Sequence, residues 1–129
     1  LFFKPDGTKM YHTGGSSDEV HEYDLSTAWD VSTGSFLQSF SVSAQEFYPV
    51  DVFFKPDGTK MYVGGLFTAA ISEYTLSTAW DISTASFAQS NVAKIPTNGP
   101  QGSYFSDDGT IMFRGNDTAV FRFNIGVQE

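Results

Sequence analysis

The stretch FFKPDGTKMY at residues 2–11 returns letter for letter at residues 53–62, 51 positions later. LSTAWD at residues 25–30 returns at 76–81 with the same offset. Laying residues 1–51 over 52–102 gives about 26 identities in 51 positions, which marks a tandem repeat. A third copy begins at Ser103, where Phe105, Asp108, Gly109, Thr110 and Met112 keep the spacing. It then drops two residues, so that VFRFNI at 120–125 echoes VHEYDL at 20–25. The units are residues 1–51, 52–102 and a partial third, 103–129.

Within a unit no segment keeps a helical period. Short β-branched and aromatic runs alternate with turn residues. In the second unit, residues 52–54 read as a strand and Pro56-Asp57-Gly58 as a tight turn. Proline presets φ there, aspartate bonds back to the backbone, and glycine accepts positive φ. Residues 60–63 return, Gly64-Gly65 punctuate, and residues 71–76 and 86–92 supply two more strands. Residues 77–85 form a polar loop around Trp80-Asp81.

Four antiparallel strands in about 50 residues, repeated in tandem, predict an all-β fold of β-propeller blades. Each four-stranded antiparallel sheet has two apolar faces and cannot bury both alone. The chain holds about two and three-quarter blades, or eleven strands. Closed propellers take roughly four to eight blades, so the chain is expected to form part of a larger or oligomeric propeller. The missing blades would come from the same parent chain or from identical copies. The sequence starts at Leu1 inside the repeated motif, which reads as a processed chain or a piece of something longer.

Composition narrows the function classes. Aromatic residues make up 16% and charged residues 17%, a globular rather than disordered balance. Seven basic against fifteen acidic residues leave no patch for nucleic acid or an anionic membrane surface. No apolar run approaches the roughly 20 residues of a membrane span. With no cysteine, disulfides, thiolate metal sites and cysteine nucleophiles are absent.

The FKPDGTKMYV-type stretch followed by a V/I-x-E-Y-x-L strand resembles the blades of YVTN-type, NHL-like and lactonase-like β-propellers. Similar units occur in bacterial surface proteins and in phage or environmental proteins. The resemblance covers nearly the whole chain and implies the propeller fold. It implies little about activity, because propellers host many unrelated ones. The WD-repeat pattern does not fit: Trp29-Asp30 and Trp80-Asp81 lie in loops, Tyr23 and Tyr74 hold that family's tryptophan position, and no Gly-His pair is present.

Differences between the units locate a candidate binding face. They fall at residues 13–19 against 64–70 and at 42–51 against 93–102, the loops between second and third strands and between successive units. In a propeller these loops share one face, and loops on a rigid scaffold commonly carry binding. The candidate ligand-binding residues on this face are Asp18, Glu46, Tyr48, Phe67, Asn98 and Asn116. Trp29 and Trp80 join them as sugar-stacking rings, against a packing reading in which each pins its loop to the neighbouring blade. Asp30 and Asp81, before Ser32-Thr33 and Ser83-Thr84, read as turn-capping acceptors. The repeated Glu22 and Glu73 suit a scaffold role better than a catalytic pair.

No catalytic residue, metal ligand or cofactor is expected. The Asp-Gly turns lack calcium-loop spacing, and His12 and His21 are too few for a metal. The sequence thus predicts a non-catalytic recognition or structural module that meets a glycan or protein ligand. Its expected setting is extracellular, cell-surface or virion-associated. The alternatives are an incomplete portion of a lactonase- or glycosidase-type propeller enzyme and a self-assembling lectin-like oligomer.

Overall fold

The first turn of each unit is closed by its aspartate. Asp6 Oδ1 accepts from the Thr8 backbone N–H at 2.9 Å and from its hydroxyl at 2.6 Å. Asp57 does the same with Thr59, and Asp108 with Thr110. Hydrogen bonds from Thr8 hold the Asp6 carboxyl down at about 2, and those from Ser106 and Thr110 hold Asp108 at about 2. Gly7, Gly58 and Gly109 sit at φ of 75°, 75° and 70°, where a side chain is disfavoured.

These turns join strands whose partners follow in sequence. The computed structural model describes residues 1–96 and 102–125. Unit 1 contains β1 (Phe2–Phe3), β2 (Lys9–Gly14), β3 (Glu19–Leu25) and β4 (Gly34–Ser41). Unit 2 contains β5 (Pro49–Phe54), β6 (Lys60–Gly65), β7 (Ile71–Leu76) and β8 (Ala85–Val92). Unit 3 contributes β9 (Gly102–Phe105), β10 (Ile111–Gly115) and β11 (Val120–Asn124). The sheets run β1-β2-β3-β4, β5-β6-β7-β8 and β9-β10-β11, each an antiparallel meander. The first strands of successive units lie side by side, β1 against β5 and β5 against β9. The fold is all-β and matches part of a propeller, with the expected strand count among the described residues.

Two strands are longer than the sequence suggests. β5 starts at Pro49, three residues before the apolar run, with an irregular register between Pro49 and Asp51. β6 continues through Gly64 and Gly65, which pair with Asp51 and Pro49. The ladder needs only backbone N–H and C=O groups, so glycines that look like breaks extend it. The loop 77–85 also contains a 3-10 turn at Ile82–Thr84, capped by Asp81 Oδ1 at 3.0 Å from the Ser83 N–H. Asp30 caps Val31–Thr33 in the same way.

Period-two alternation sends the middle sheet's side chains to two cores. Val52, Phe54, Met61, Val63, Tyr74 and Leu76 pack with Tyr11, Val20 and Val42 of unit 1. Phe53, Tyr62 and Ile71 pack with Met112 and Ile125 of unit 3. Unit 2 thus buries both faces only because it has a neighbour on each side.

The seam between units 1 and 2 is also latched by polar groups. Trp80 and Ile82 project from unit 2 onto unit 1. Tyr11 Oη donates to the Trp80 carbonyl at 2.6 Å, and the Ile82 N–H donates to Glu22 Oε1 at 3.1 Å. Gln38 donates to Asp81 Oδ1 at 2.9 Å. Lys9 neutralises the buried Glu22 from 3.0 Å. The repeated glutamate therefore serves the scaffold, as its recurrence suggests.

Candidate functional site

The loops between second and third strands and between units lie at one end of the sheets, as the meander requires. Four of the sequence candidates meet there. Asp18 and Tyr48 both take left-handed backbone, with φ of 53° and 57°, and the Tyr48 N–H donates to Asp18 Oδ1 at 2.9 Å. The Tyr48 carbonyl accepts from the Leu66 N–H at 3.0 Å, which brings the loop after β6 alongside. The Phe67 ring then lies 6.0 Å from Phe47 and 6.2 Å from Tyr48. Phe47, Tyr48, Val50, Leu66 and Phe67 are all exposed, forming an apolar patch on this face.

Glu46 sits beneath the patch and is buried. Its Oε2 accepts from Thr68 Oγ1 at 2.7 Å and its Oε1 from Ser72 Oγ at 2.9 Å. Burial still pushes its carboxyl up, against these hydrogen bonds and the charge of Arg114. Glu46 therefore positions the loop after β6.

The other candidates do not join this cluster. Asn116 occupies the β10–β11 turn, where its Oδ1 accepts from the Thr118 and Ala119 N–H groups. Asn98 lies outside the described residues. Trp29 and Trp80 stand on loops at the opposite end. Trp80 is sandwiched among Phe2, Tyr11 and Phe54, with centroids 5.4–6.5 Å away. Trp29 is 59% exposed.

Beside the patch, a pocket of about 470 Å³ opens between units 2 and 3, lined by Val50, Asp51, Gly64, Leu66, Gly102, Ser103 and Arg114. Arg114 comes from β10 and is fully buried. Its Nη1 donates to the carbonyls of Ala69 and Ala93, both at 2.8 Å. Its Nε has no hydrogen-bond partner among the described residues. Asp51 reaches the pocket from the start of β5. Burial pushes its carboxyl up to about 6, outweighing the positive N-terminus, Arg114 and a hydrogen bond from Ser103. Burial likewise lowers the Arg114 pKa, while Asp51 and Glu46 pull it up.

Sequence reasoning missed this pair. Asp51 lay within a variable loop but was not singled out. Arg114 is one of two arginines and stands where unit 2 has Val63. An arginine replacing a buried apolar residue in a repeat was the available signal.

The raised Asp51 pKa makes a stability prediction. The folded state holds the proton more tightly than the unfolded chain, whose value is 3.8. The contribution is therefore greatest at low pH and is lost as pH rises from about 4 through about 6. Raising the carboxyl from 3.8 to about 6 corresponds to roughly 2–3 kcal/mol. Urea melts from pH 4 to 7 are expected to show Asp51→Asn gaining on the wild type as pH rises. A constant difference across that range contradicts the burial of this carboxyl.

No protein-family model matches the sequence, and no curated protein matches it. Solved structures do. A Bacteroides uniformis protein whose 6-phosphogluconolactonase activity is a proposed assignment aligns with a TM-score of 0.70 at 17% identity, over 98% of this chain and 36% of its own. A Lactobacillus plantarum protein aligns with a TM-score of 0.70 at 24% identity, over 98% and 37%. The periplasmic gluconolactonase of Pseudomonas aeruginosa gives 0.63 at 15% identity, over 96% and 36%. The chain spans little more than a third of the length of these structures, and the likeness establishes the fold. Among the described residues no helix is long and apolar enough to cross a membrane.

Proposed function

We propose that the chain is part of a propeller that opens a sugar-acid lactone, with Asp51 and Arg114 at the reacting centre. The observation that carries this reading is the Asp51–Arg114 pocket. A carboxyl with a pKa near 6 is poised to exchange protons near neutral pH, beside a buried cation. The names of the Bacteroides and Pseudomonas structures support the same substrate class.

In the proposed reaction, water adds to the lactone carbonyl carbon and gives its proton to the Asp51 carboxylate. The Arg114 charge stabilises the oxyanion that forms. The ring C–O bond then breaks, and the departing ring oxygen takes the proton from Asp51. The product is the open hydroxy acid. The exposed rings of Tyr48 and Phe67 beside the pocket would stack on the sugar face. The setting we propose is outside the cytoplasm, in line with the periplasmic relative.

The test is the hydrolysis of glucono-δ-lactone followed by proton release. The chain is expected to exceed the spontaneous rate, with a rising limb near pH 6. Asp51→Asn is expected to lower that catalysed rate by about 100-fold or more. No acceleration, with no binding of gluconate, refutes the reading.

The exposed Phe47, Tyr48 and Phe67 patch supports a second reading, recognition of a glycan or protein without catalysis. That reading predicts saturable gluconate or oligosaccharide binding that Tyr48→Ala weakens while no hydrolysis occurs.

A further inference from the structure

The same loop occurs twice in this chain in two different situations. Ala79-Trp80-Asp81-Ile82 of unit 2 docks onto unit 1, and Ile82 is fully buried. Its counterpart Ala28-Trp29-Asp30-Val31 leaves Trp29 and Val31 each 59% exposed. The internal geometry of the two loops is equivalent. Trp29 N–H donates to the Gly7 carbonyl at 2.9 Å, and Trp80 N–H to Gly58 at 3.0 Å. Both tryptophans take left-handed backbone, at φ of 67° and 68°. The loop of unit 1 is therefore already shaped for the seam that the loop of unit 2 makes.

The sheet behind it tells the same story. Phe54, Met61 and Tyr74 are buried in the seam, while Phe3, Met10 and Tyr23 at the matching places are half-exposed. An apolar face with a preformed latch lies uncovered on unit 1.

The receiving side of the existing seam specifies what fits. It needs a hydroxyl to donate to the tryptophan carbonyl, supplied by Tyr11, and a carboxylate to accept the next N–H but one, supplied by Glu22. These face each other on β2 and β3, since Tyr11 pairs with Glu22. Unit 2 repeats the pair as Tyr62 and Glu73. There Glu73 Oε1, the atom equivalent to the Glu22 acceptor, is buried and has no hydrogen-bond partner among the described residues. Unit 3 breaks the pattern, with Phe113 opposite Arg122. Phe113 has no hydroxyl to donate, and Arg122 has no lone pair for an N–H.

We infer that the Trp29–Val31 face is the docking surface for a further repeat unit carrying tyrosine on its second strand and glutamate on its third. Unit 3 of a second copy does not meet that requirement, so the face is not closed by head-to-tail association of this chain. The occupant is a further unit of the type of units 1 and 2, carrying the Tyr–Glu pair that unit 3 lacks.

The experiment adds one unit to the intact chain: a copy of residues 1–51 placed before Leu1, at the natural 51-residue spacing. Amide hydrogen exchange is read at Val31 of the original unit. The extended protein is expected to slow Val31 exchange by about tenfold or more, as a buried charge-assisted hydrogen bond does. Replacing the added unit's counterpart of Glu22 with alanine is expected to remove that protection while Ile82 stays protected. Unchanged Val31 exchange in a folded extended protein overturns the inference. Sedimentation of the unextended chain gives an independent check that needs no new fold. The chain is expected to stay monomeric as concentration rises, with Val31→Asp making no difference. Self-association that Val31→Asp or Arg122→Glu abolishes overturns the inference, placing Arg122 of a second copy against this loop instead.

Discussion

Trp80→Ala is expected to cost the fold about 3–5 kcal/mol, and Trp29→Ala less than about 1 kcal/mol. The two residues lie in identical hexapeptides, so local sequence predicts equal effects. Their surroundings differ. The Trp80 ring packs against Phe2, Tyr11 and Phe54 of two sheets, and its carbonyl holds the Tyr11 hydroxyl. Truncation there opens a cavity in the seam core. Trp29 meets Phe3 at 5.6 Å and Gly7, and otherwise faces solvent. Urea denaturation followed by far-ultraviolet circular dichroism measures both. Gly58→Ala is expected to resemble the larger loss. A Cβ there would lie 2.4 Å from the Trp80 ring, and its φ of 75° disfavours any side chain. Equal losses for the two tryptophan variants would mean that the seam between units 1 and 2 does not form in solution.

The second large effect is at Arg114. Replacing it with methionine keeps volume but removes the cation and both hydrogen bonds to Ala69 and Ala93. The two carbonyls lose a donor, and Asp51 and Glu46 lose a compensating charge. Breaking a buried charge arrangement from one side costs about 3–5 kcal/mol. The loss is expected to be greatest at pH 7 and to shrink below pH 6, because a protonated Asp51 no longer needs the cation. Adding Asp51→Asn to Arg114→Met is expected to recover part of the loss at pH 7. A loss independent of pH would assign Arg114 to packing and backbone hydrogen bonds alone.

Much of the architecture was legible from the repeat. The Asp-Thr pairs at 6–8, 57–59 and 108–110 encode their turns by bonds within three residues. Strand existence followed, while strand ends did not. Gly64 and Gly65 carry no side-chain signal, and their place in β6 comes from the partner strand β5. On the candidate face, variability between units pointed to Asp18, Tyr48 and Phe67, which the fold brings together. It also pointed to Glu46, whose hydrogen bonds to Thr68 and Ser72 make it a support for the loop. Asp51 and Arg114 escaped because neither has a motif around it. Their meaning comes from a pocket that two units build jointly.

The sequence by itself determined the repeat, the strand order and the turn chemistry, since each depends on residues close along the chain. Tertiary structure decided which of two tryptophans in identical hexapeptides packs into the seam, which glutamate is satisfied and which aspartate has its pKa raised by burial. Those properties depend on burial and on the charges and donors brought near by another unit. Identical local sequences, such as the two LSTAWD stretches, acquire different energies once one has a neighbour and the other faces water.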